Sequence, residues 1–307
     1  MMTMSGVVEL MPVWTAQNDR VYCTSLFHPD EKRELGSCAV LGISEKSAYV
    51  LQAKDLADSQ QLFTLHPLPS SQPRNITATA IATGIPEKSY SSIPMWSVHE
   101  RKKERLLMEH LFDYTAEAAI GAVNLELSKN VTVDLPLEAD LSLWRDKLGF
   151  ILRDSIQFIQ GKLDAGTKLP EFASSISVRE ASGWEAVADF DAGLFHLERP
   201  DFFQTLANLP NIQLLEAVEE GVVVGAAGVA GPRLLFAYSQ RTAAASALLK
   251  AALKQRKELE VLVAEGGWLE GLVKESGRLR RFHTTSLPAE RPDWSFIAAA
   301  PIPFYPY

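Results

Sequence analysis

The chain has 307 residues, of which 47% are hydrophobic and 22% charged, and its formal net charge is −8. This composition excludes disordered, collagen-like and coiled-coil proteins. The acidic balance disfavours nucleic acid as the main partner, because nucleic-acid binders cluster Lys and Arg against phosphates. The only two cysteines, Cys23 and Cys38, exclude a disulfide framework, and both lie in apolar runs typical of strands.

The sequence contains no uninterrupted apolar window of about 18 residues, so it predicts no transmembrane helix. The opening segment, Met1–Trp14, lacks the basic and apolar regions of a secretory signal. We therefore expect a soluble, cytoplasmic protein that does not bind membranes.

The first part of the chain is predicted to be β-rich. Five short runs of β-branched and aromatic residues are separated by polar turns, and they predict a small antiparallel sheet. The predicted strands are Val21–Phe27, Cys38–Ile43, Ala48–Gln52, Leu62–His66 and Ile76–Thr83. We assign residues 1–95 to this β-rich domain.

Residues 96–168 are predicted to form a pair of long amphipathic helices. The first begins at Ser97 and the second runs from Asp140 to Gly161, where the glycine stops it. Each has apolar residues at spacings of three and four, typical of one buried face. These residues are Leu107, Leu111, Tyr114, Ala118, Ala122 and Leu125 in the first helix, and Leu141, Trp144, Leu148, Leu152 and Ile159 in the second.

The carboxylates Glu109, Asp113 and Glu117 follow at i, i+4 and i+8 on the first predicted helix. This row lies away from the apolar stripe, so it indicates a solvated face. We predict no metal site there.

Residues 169–307 are predicted to form a mixed α+β domain with a local strand–strand–helix–strand (ββαβ) order. The predicted strands are Leu214–Gly228, Arg233–Ser239 and Glu260–Ala264, and the helix is Thr242–Glu258. A further short helix is predicted over Trp268–Glu275. The whole chain is thus expected to be α+β: an N-terminal antiparallel β-rich region, a central long helix pair and a C-terminal mixed unit.

One glycine-rich segment admits two interpretations. Gly225, Gly228 and Gly231 recur at three-residue spacing after an apolar run. They resemble a phosphate-cradling turn, with Glu265 as the acid that would bind a ribose. However, the spacing departs from GxGxxG, and the run that starts at Arg233 indicates a strand. We therefore favour a hairpin that turns at Val229–Pro232.

The sequence contains no nucleophile elbow, zinc-protease motif or Walker loop, and it identifies no catalytic residue and no cofactor. The leading hypothesis is a non-catalytic protein-binding module of the adaptor, chaperone-like or inhibitor type, with a protein partner or self-association. Its tail, Pro301–Tyr307, is rich in proline and aromatic residues that suit docking. The alternatives are a nucleotide-dependent enzyme that uses Gly225–Gly231, and a metal-dependent hydrolase built on the histidines.

Overall fold

The computed structural model describes residues 21–27, 33–42, 45–55, 62–67, 75–83, 104–121, 129–139, 141–172, 175–195, 203, 212–287 and 297–299. These residues form a mixed α+β structure with a large sheet and few helices, which confirms the α+β class but not the predicted central helix pair. They divide into two compact units. Unit 1 contains the described residues from 21 to 152 and Phe282–Ser286, and unit 2 contains Arg153–Arg281 and the described residues after 286. The predicted boundaries at residues 95 and 168 stay predictions.

Unit 1 contains one α-helix and seven strands among its described residues, besides a π-helical turn and the ends of two strands that lie mostly in unit 2. The strands are β1 (Val21–Phe27), β2 (Glu34–Gly42), β3 (Ser47–Asp55), β4 (Leu62–Pro67), β5 (Asn75–Thr83), β6 (Glu104–Leu106) and β7 (Asn130–Pro136), and the helix is α1 (Leu107–Ile120). Their order in the sheet is β6-β4-β5-β1-β2-β3-β7. The β2–β3 hairpin is antiparallel as predicted, but β5 runs parallel to β1 and β7 parallel to β3.

Helix α1 covers the sheet of unit 1 with its apolar face. Leu107 and Leu111 are buried in the same cluster as Cys38 and Val40 of β2, and the rings of Phe112 and Phe150 lie 5.2 Å apart. Burial raises the pKa of the Cys38 thiol to about 12, so it stays neutral at physiological pH.

The predicted second long helix is wrong. Only one π-helical turn, Ser142–Lys147, forms after β7, and strand β8 begins at Leu152. Gly161 does not stop a helix: it lies inside β8, where an added Cβ would come within 2.5 Å of the Lys274 carbonyl oxygen. The glycine therefore permits close approach of two backbones, which local periodicity does not reveal.

Unit 2 contains most of β8, seven further strands and two helices among its described residues. The elements are β8 (Leu152–Asp164), β9 (Ser177–Glu180), α2 (Glu185–Phe195), β10 (Ile212–Glu219), β11 (Val222–Ala230), β12 (Arg233–Ser239), α3 (Thr242–Lys254), β13 (Glu258–Ala264), β14 (Lys274–His283) and β15 (Ile297–Ala299). The sheet order is β14-β8-β13-β12-β11-β10-β9, and β15 pairs with β12. The helix predicted over Trp268–Glu275 is limited to a 3₁₀ turn at Glu270–Leu272. Within the described residues, no helix is long and apolar enough to cross a membrane.

The favoured hairpin is present at the glycine-rich segment. Strands β11 and β12 pair antiparallel and turn at Gly231, whose φ of +57° suits glycine. Gly225 and Gly228 lie inside β11, and the Phe236 side chain packs directly over the Cα of Gly228, so a Cβ there would collide with the ring. These two glycines therefore serve packing within the sheet.

The two units share one succession of elements. In unit 1, β1, β2 and β3 pair antiparallel, and α1 then precedes β7, which is parallel to β3. In unit 2, β10, β11 and β12 pair antiparallel, and α3 leads to β13, which is parallel to β12. Strands β4, β5 and β6 are an insertion between β3 and α1 with no counterpart in unit 2. The described chain is therefore a topological duplication.

Replacing Gly228 with Ala should lower the free energy of unfolding by about 1–3 kcal/mol, because the new methyl group overpacks the Phe236 ring. The matched control is Gly193→Ala on α2, where no atom lies within 4 Å of the position that the new methyl group takes and helix propensity predicts stabilisation of about 0.5–1 kcal/mol. Urea unfolding of both variants measures the difference. Equal effects would contradict the packing role of Gly228.

Candidate functional site

Two neighbouring parallel strands of unit 2, β12 and β13, separate along most of their length. Strands β12 and β13 pair only at Arg233 and Glu260, where the Glu260 N–H donates to the Pro232 carbonyl at 2.8 Å. Beyond that point β13 stays paired with β8 over its whole length, and β12 stays with β11. We call the gap between β12 and β13 beyond the Arg233–Glu260 pair the splay.

A β-bulge in β12 accompanies the splay. Gly228 pairs with Phe236 and Val229 with Leu234, so Leu235 is an extra residue in the ladder. A bulge bends its strand and increases the local twist. The bend begins two residues after Arg233, where β12 leaves β13.

Ion pairs hold the closed end of the splay. The Arg233 guanidinium donates to the Glu260 carboxylate at 2.9 Å, and Lys162 of β8 donates to Glu258 of β13 at 2.5 Å. The hydrogen bond from Lys162 to Glu258 raises the pKa of that lysine, so it stays charged. All four side chains are partly exposed, so each pair contributes modestly to stability.

The N-terminus of α3 follows directly after β12. Its N-cap residue, Arg241, has extended backbone angles and makes no side-chain capping hydrogen bond, and the first turn contains no acidic residue. The Arg241 guanidinium instead lies 2.7 Å from the Glu219 carboxylate. The positive end of the helix dipole is therefore not neutralised by α3's own side chains and lies at the carboxyl end of β12.

A polar row crosses the sheet of unit 2 on the face opposite α3. Arg179, Glu216, Ala226 and Tyr238 are successive partners in the registers of β9, β10, β11 and β12, so they share one face. The Glu216 carboxylate is 2% exposed and accepts a hydrogen bond from Arg179 Nε at 3.0 Å. Tyr238 is 1% exposed and stacks on Phe236 with ring centroids 5.0 Å apart. The small Ala226 side chain separates the carboxylate from the phenol.

Strand β15 pairs with the edge of β12 that β13 leaves. Ala299 is the partner of Ala237 and Ile297 the partner of Tyr238, both antiparallel. Ala298 is 5% exposed and belongs to the core cluster under α3. The carboxyl half of β12 is therefore paired on both edges.

The structure has a hairpin at Gly225–Gly231 and not the phosphate loop of the alternative interpretation. A strand rather than a helix follows Gly231, so the helix N-terminus that such a loop requires is absent there. Glu265 lies just beyond β13, at the opposite end of that strand from the hairpin turn, and its carboxylate pairs with Arg278 at 2.6 Å. The carboxylate row of α1 is solvated only in part: Glu117 is exposed, whereas Glu109 and Asp113 are half-buried.

Glu216 and Tyr238 escaped the sequence analysis because neither lies in a motif. One signal was present: Glu216 is a carboxylate inside the apolar run Leu214–Val218. Such an acid in a strand buried on both faces is uncommon unless it is paired. Its partner Arg179 is 37 residues away in the chain, and only the fold brings the two together.

Comparison with known proteins gives one family and several structures. A family described as a domain of unknown function, DUF7596, matches residues 15–152, and Leu152 also ends the longest segment of unit 1. No curated protein matches the chain. A solved structure from Pyrococcus horikoshii, provisionally named an acetyltransferase, is similar over 88% of this chain and 75% of its own, at 11% identity and a TM-score of 0.52. A GCN5-related N-acetyltransferase from Sphaerobacter thermophilus covers 82% of this chain and 77% of its own, at 12% identity and a TM-score of 0.48.

The chain shares its fold with the Pyrococcus protein. This likeness overturns the hypothesis of a non-catalytic protein-binding module, because the fold is one found in a protein named as an enzyme. The binding-module hypothesis was drawn from the absence of catalytic sequence motifs. Polar groups on separate strands can form a site without any such motif. The expected self-association stays a prediction.

The Arg233–Glu260 pair should show a coupling energy of about 0.2–1 kcal/mol in a double-mutant cycle, as for other partly exposed ion pairs. The variants are Arg233→Ala, Glu260→Ala and the double substitution, compared by urea unfolding. The coupling should shrink in 1 M salt because salt screens partly exposed charges. A coupling of zero at low salt would show that this pair does not join β12 to β13.

Proposed function

We propose that the protein is an acyltransferase whose unit 2 binds an acyl thioester, such as acetyl-coenzyme A, in the splay. The observation that carries the proposal is the separation of β12 from β13 next to the start of α3. In sheets with parallel strands, ligands bind outside the carboxyl ends where neighbouring elements diverge. The fold shared with the Pyrococcus protein supports the same class of reaction.

The shape and charge of the splay suit this donor. The pantetheine arm of coenzyme A is linear and carries two amide groups, so it can pair with the free edge of a strand as a peptide does. Its phosphates require positive charge and N–H donors. The start of α3 offers backbone N–H groups and the positive end of the helix dipole, and no acidic residue lies in its first turn.

The polar row supplies the proton-transferring groups of the proposed reaction. The nitrogen of an amine attacks the thioester carbonyl, so a C–N bond forms and the C–S bond breaks. The Glu216 carboxylate accepts the proton that the nitrogen loses, and the Tyr238 hydroxyl donates a proton to the departing thiolate. Burial of both groups keeps water from competing for the acyl group. The attacking nitrogen needs its lone pair, so the acceptor is an amine in its neutral form.

Acetyl-coenzyme A should bind the protein in isothermal titration calorimetry, and Ala243→Asp should weaken that binding about 5-fold or more. The new carboxylate lies in the first turn of α3, where it repels the donor phosphates. The same charge interacts favourably with the helix dipole, so the melting temperature should stay equal or rise.

The matched control is Ala247→Asp, one turn further along α3, which should change the affinity less than 2-fold. If both variants bind like the parent protein, the phosphates do not lie at the start of α3. If the parent protein itself fails to bind, the proposed function is wrong.

Glu216→Gln should lower the turnover number about 100-fold or more while leaving the affinity for acetyl-coenzyme A unchanged, because it removes only the proton acceptor. Release of free thiol with a panel of primary amines measures the turnover. The control is Glu180→Gln on β9, an exposed neighbour of Arg179, which should retain full activity. Full activity of Glu216→Gln would exclude the carboxylate as the base.

A further inference from the structure

We propose that strand β15 is a built-in competitor of the acyl donor, and that it must leave β12 before the donor binds. The inference rests on the proposed function, because it concerns the occupancy of the same splay. The parts of the chain involved are β12, β13 and β15, all within unit 2.

The competition follows from the pairing of β12. The edge of β12 that faces the splay is engaged at Ala237 and Tyr238 by the antiparallel partners Ala299 and Ile297. Strand β15 also contacts β13 on the other side of the splay. A linear ligand that pairs with this edge needs the same backbone N–H and C=O groups. The edge cannot serve β15 and the donor at the same time.

The pairing of β15 is suited to reversal. It comprises two residue pairs with a register irregularity between them, whereas β13 pairs with β8 over seven residues and β11 with β10 over eight. The strand has three residues, which is shorter than the average of about five to six. Ala298 of this strand is buried but small, so releasing its side chain exposes only one methyl group.

The rest of the splay does not depend on β15. The closed end is held by the Arg233–Glu260 pair and by the hydrogen bond from Glu260 to Pro232. The outer edges of β12 and β13 are held by β11 and β8. Release of β15 therefore opens the site without separating the strands that form it. Removal of β15 should therefore leave unit 2 folded, whereas removal of a strand needed for the core would unfold it.

The expected size of the effect follows from the population of open molecules. The apparent dissociation constant equals the intrinsic one divided by the fraction of molecules in which the site is free. If β15 is docked in about 90–99% of molecules, its removal tightens donor binding about 10- to 100-fold.

The first experiment uses the full chain without substitutions. Hydrogen–deuterium exchange, followed by mass spectrometry, is measured with and without saturating acetyl-coenzyme A. We expect faster exchange at residues 297–299 when the donor is bound, while residues 233–239 stay protected because the donor replaces β15 as their partner. Slower exchange at residues 297–299 on donor binding would overturn the inference, since the donor and β15 would then bind together.

The second experiment weakens the docking of β15. Ala298→Glu places a charge in the core cluster under α3 and should release the strand, and deletion of residues 288–307 removes it. Both variants should bind acetyl-coenzyme A about 10- to 100-fold more tightly than the parent protein in calorimetry. A synthetic peptide of residues 288–307, added to the deletion variant, should restore the weaker binding. Circular dichroism establishes that each variant is folded.

The matched control is Ala251→Glu on α3, which disturbs the same cluster away from the splay and should not tighten binding. Equal affinity of the parent protein and a folded variant would overturn the inference and leave the proposed function intact. Absence of binding in every folded protein, including the deletion variant, would reject both. The two failures are therefore distinguishable.

Discussion

The divergence of β12 and β13 is the constraint on which the candidate site depends. Each strand is held by a partner on its outer edge: β13 by β8 over seven residue pairs and β12 by β11. The extra residue Leu235 bends β12 away just after its single pair with β13. The inner edges of the two strands are then not paired with each other, and β15 pairs with the inner edge of β12. The candidate site and the position of β15 both depend on this divergence of β12 and β13.

Comparison of the two units separates the features that they share from those found in unit 2 alone. Both units have three antiparallel strands, a helix and a strand parallel to the third. In unit 2 the helix α3 follows β12 after two residues, which places its N-terminus at the end of that strand. In unit 1, residues 56–106, with β4, β5 and β6, separate β3 from α1. The close connection, and with it the proposed donor site, therefore belongs to unit 2.

Local sequence patterns predicted a turn or a helix correctly where neighbouring residues alone stabilise it. The hairpin at Gly231 and the helix that begins at Thr242 follow from turn chemistry and helical periodicity, and both are present. The same reasoning failed at Leu152–Ile159, where apolar residues spaced for a helix form the first part of strand β8. It failed at Gly161 because the cause, the Lys274 carbonyl, is more than 100 residues away.

The sequence by itself determined the α+β class and the position of the β11–β12 hairpin, since these depend on residues a few positions apart. Only the tertiary structure decided which strands are neighbours, that Glu216 meets Arg179 and shares a face with Tyr238, and that β15 lies against β12. These contacts join segments tens of residues apart. Their free energy comes from packing across the sheet, and no local pattern of residue types records it.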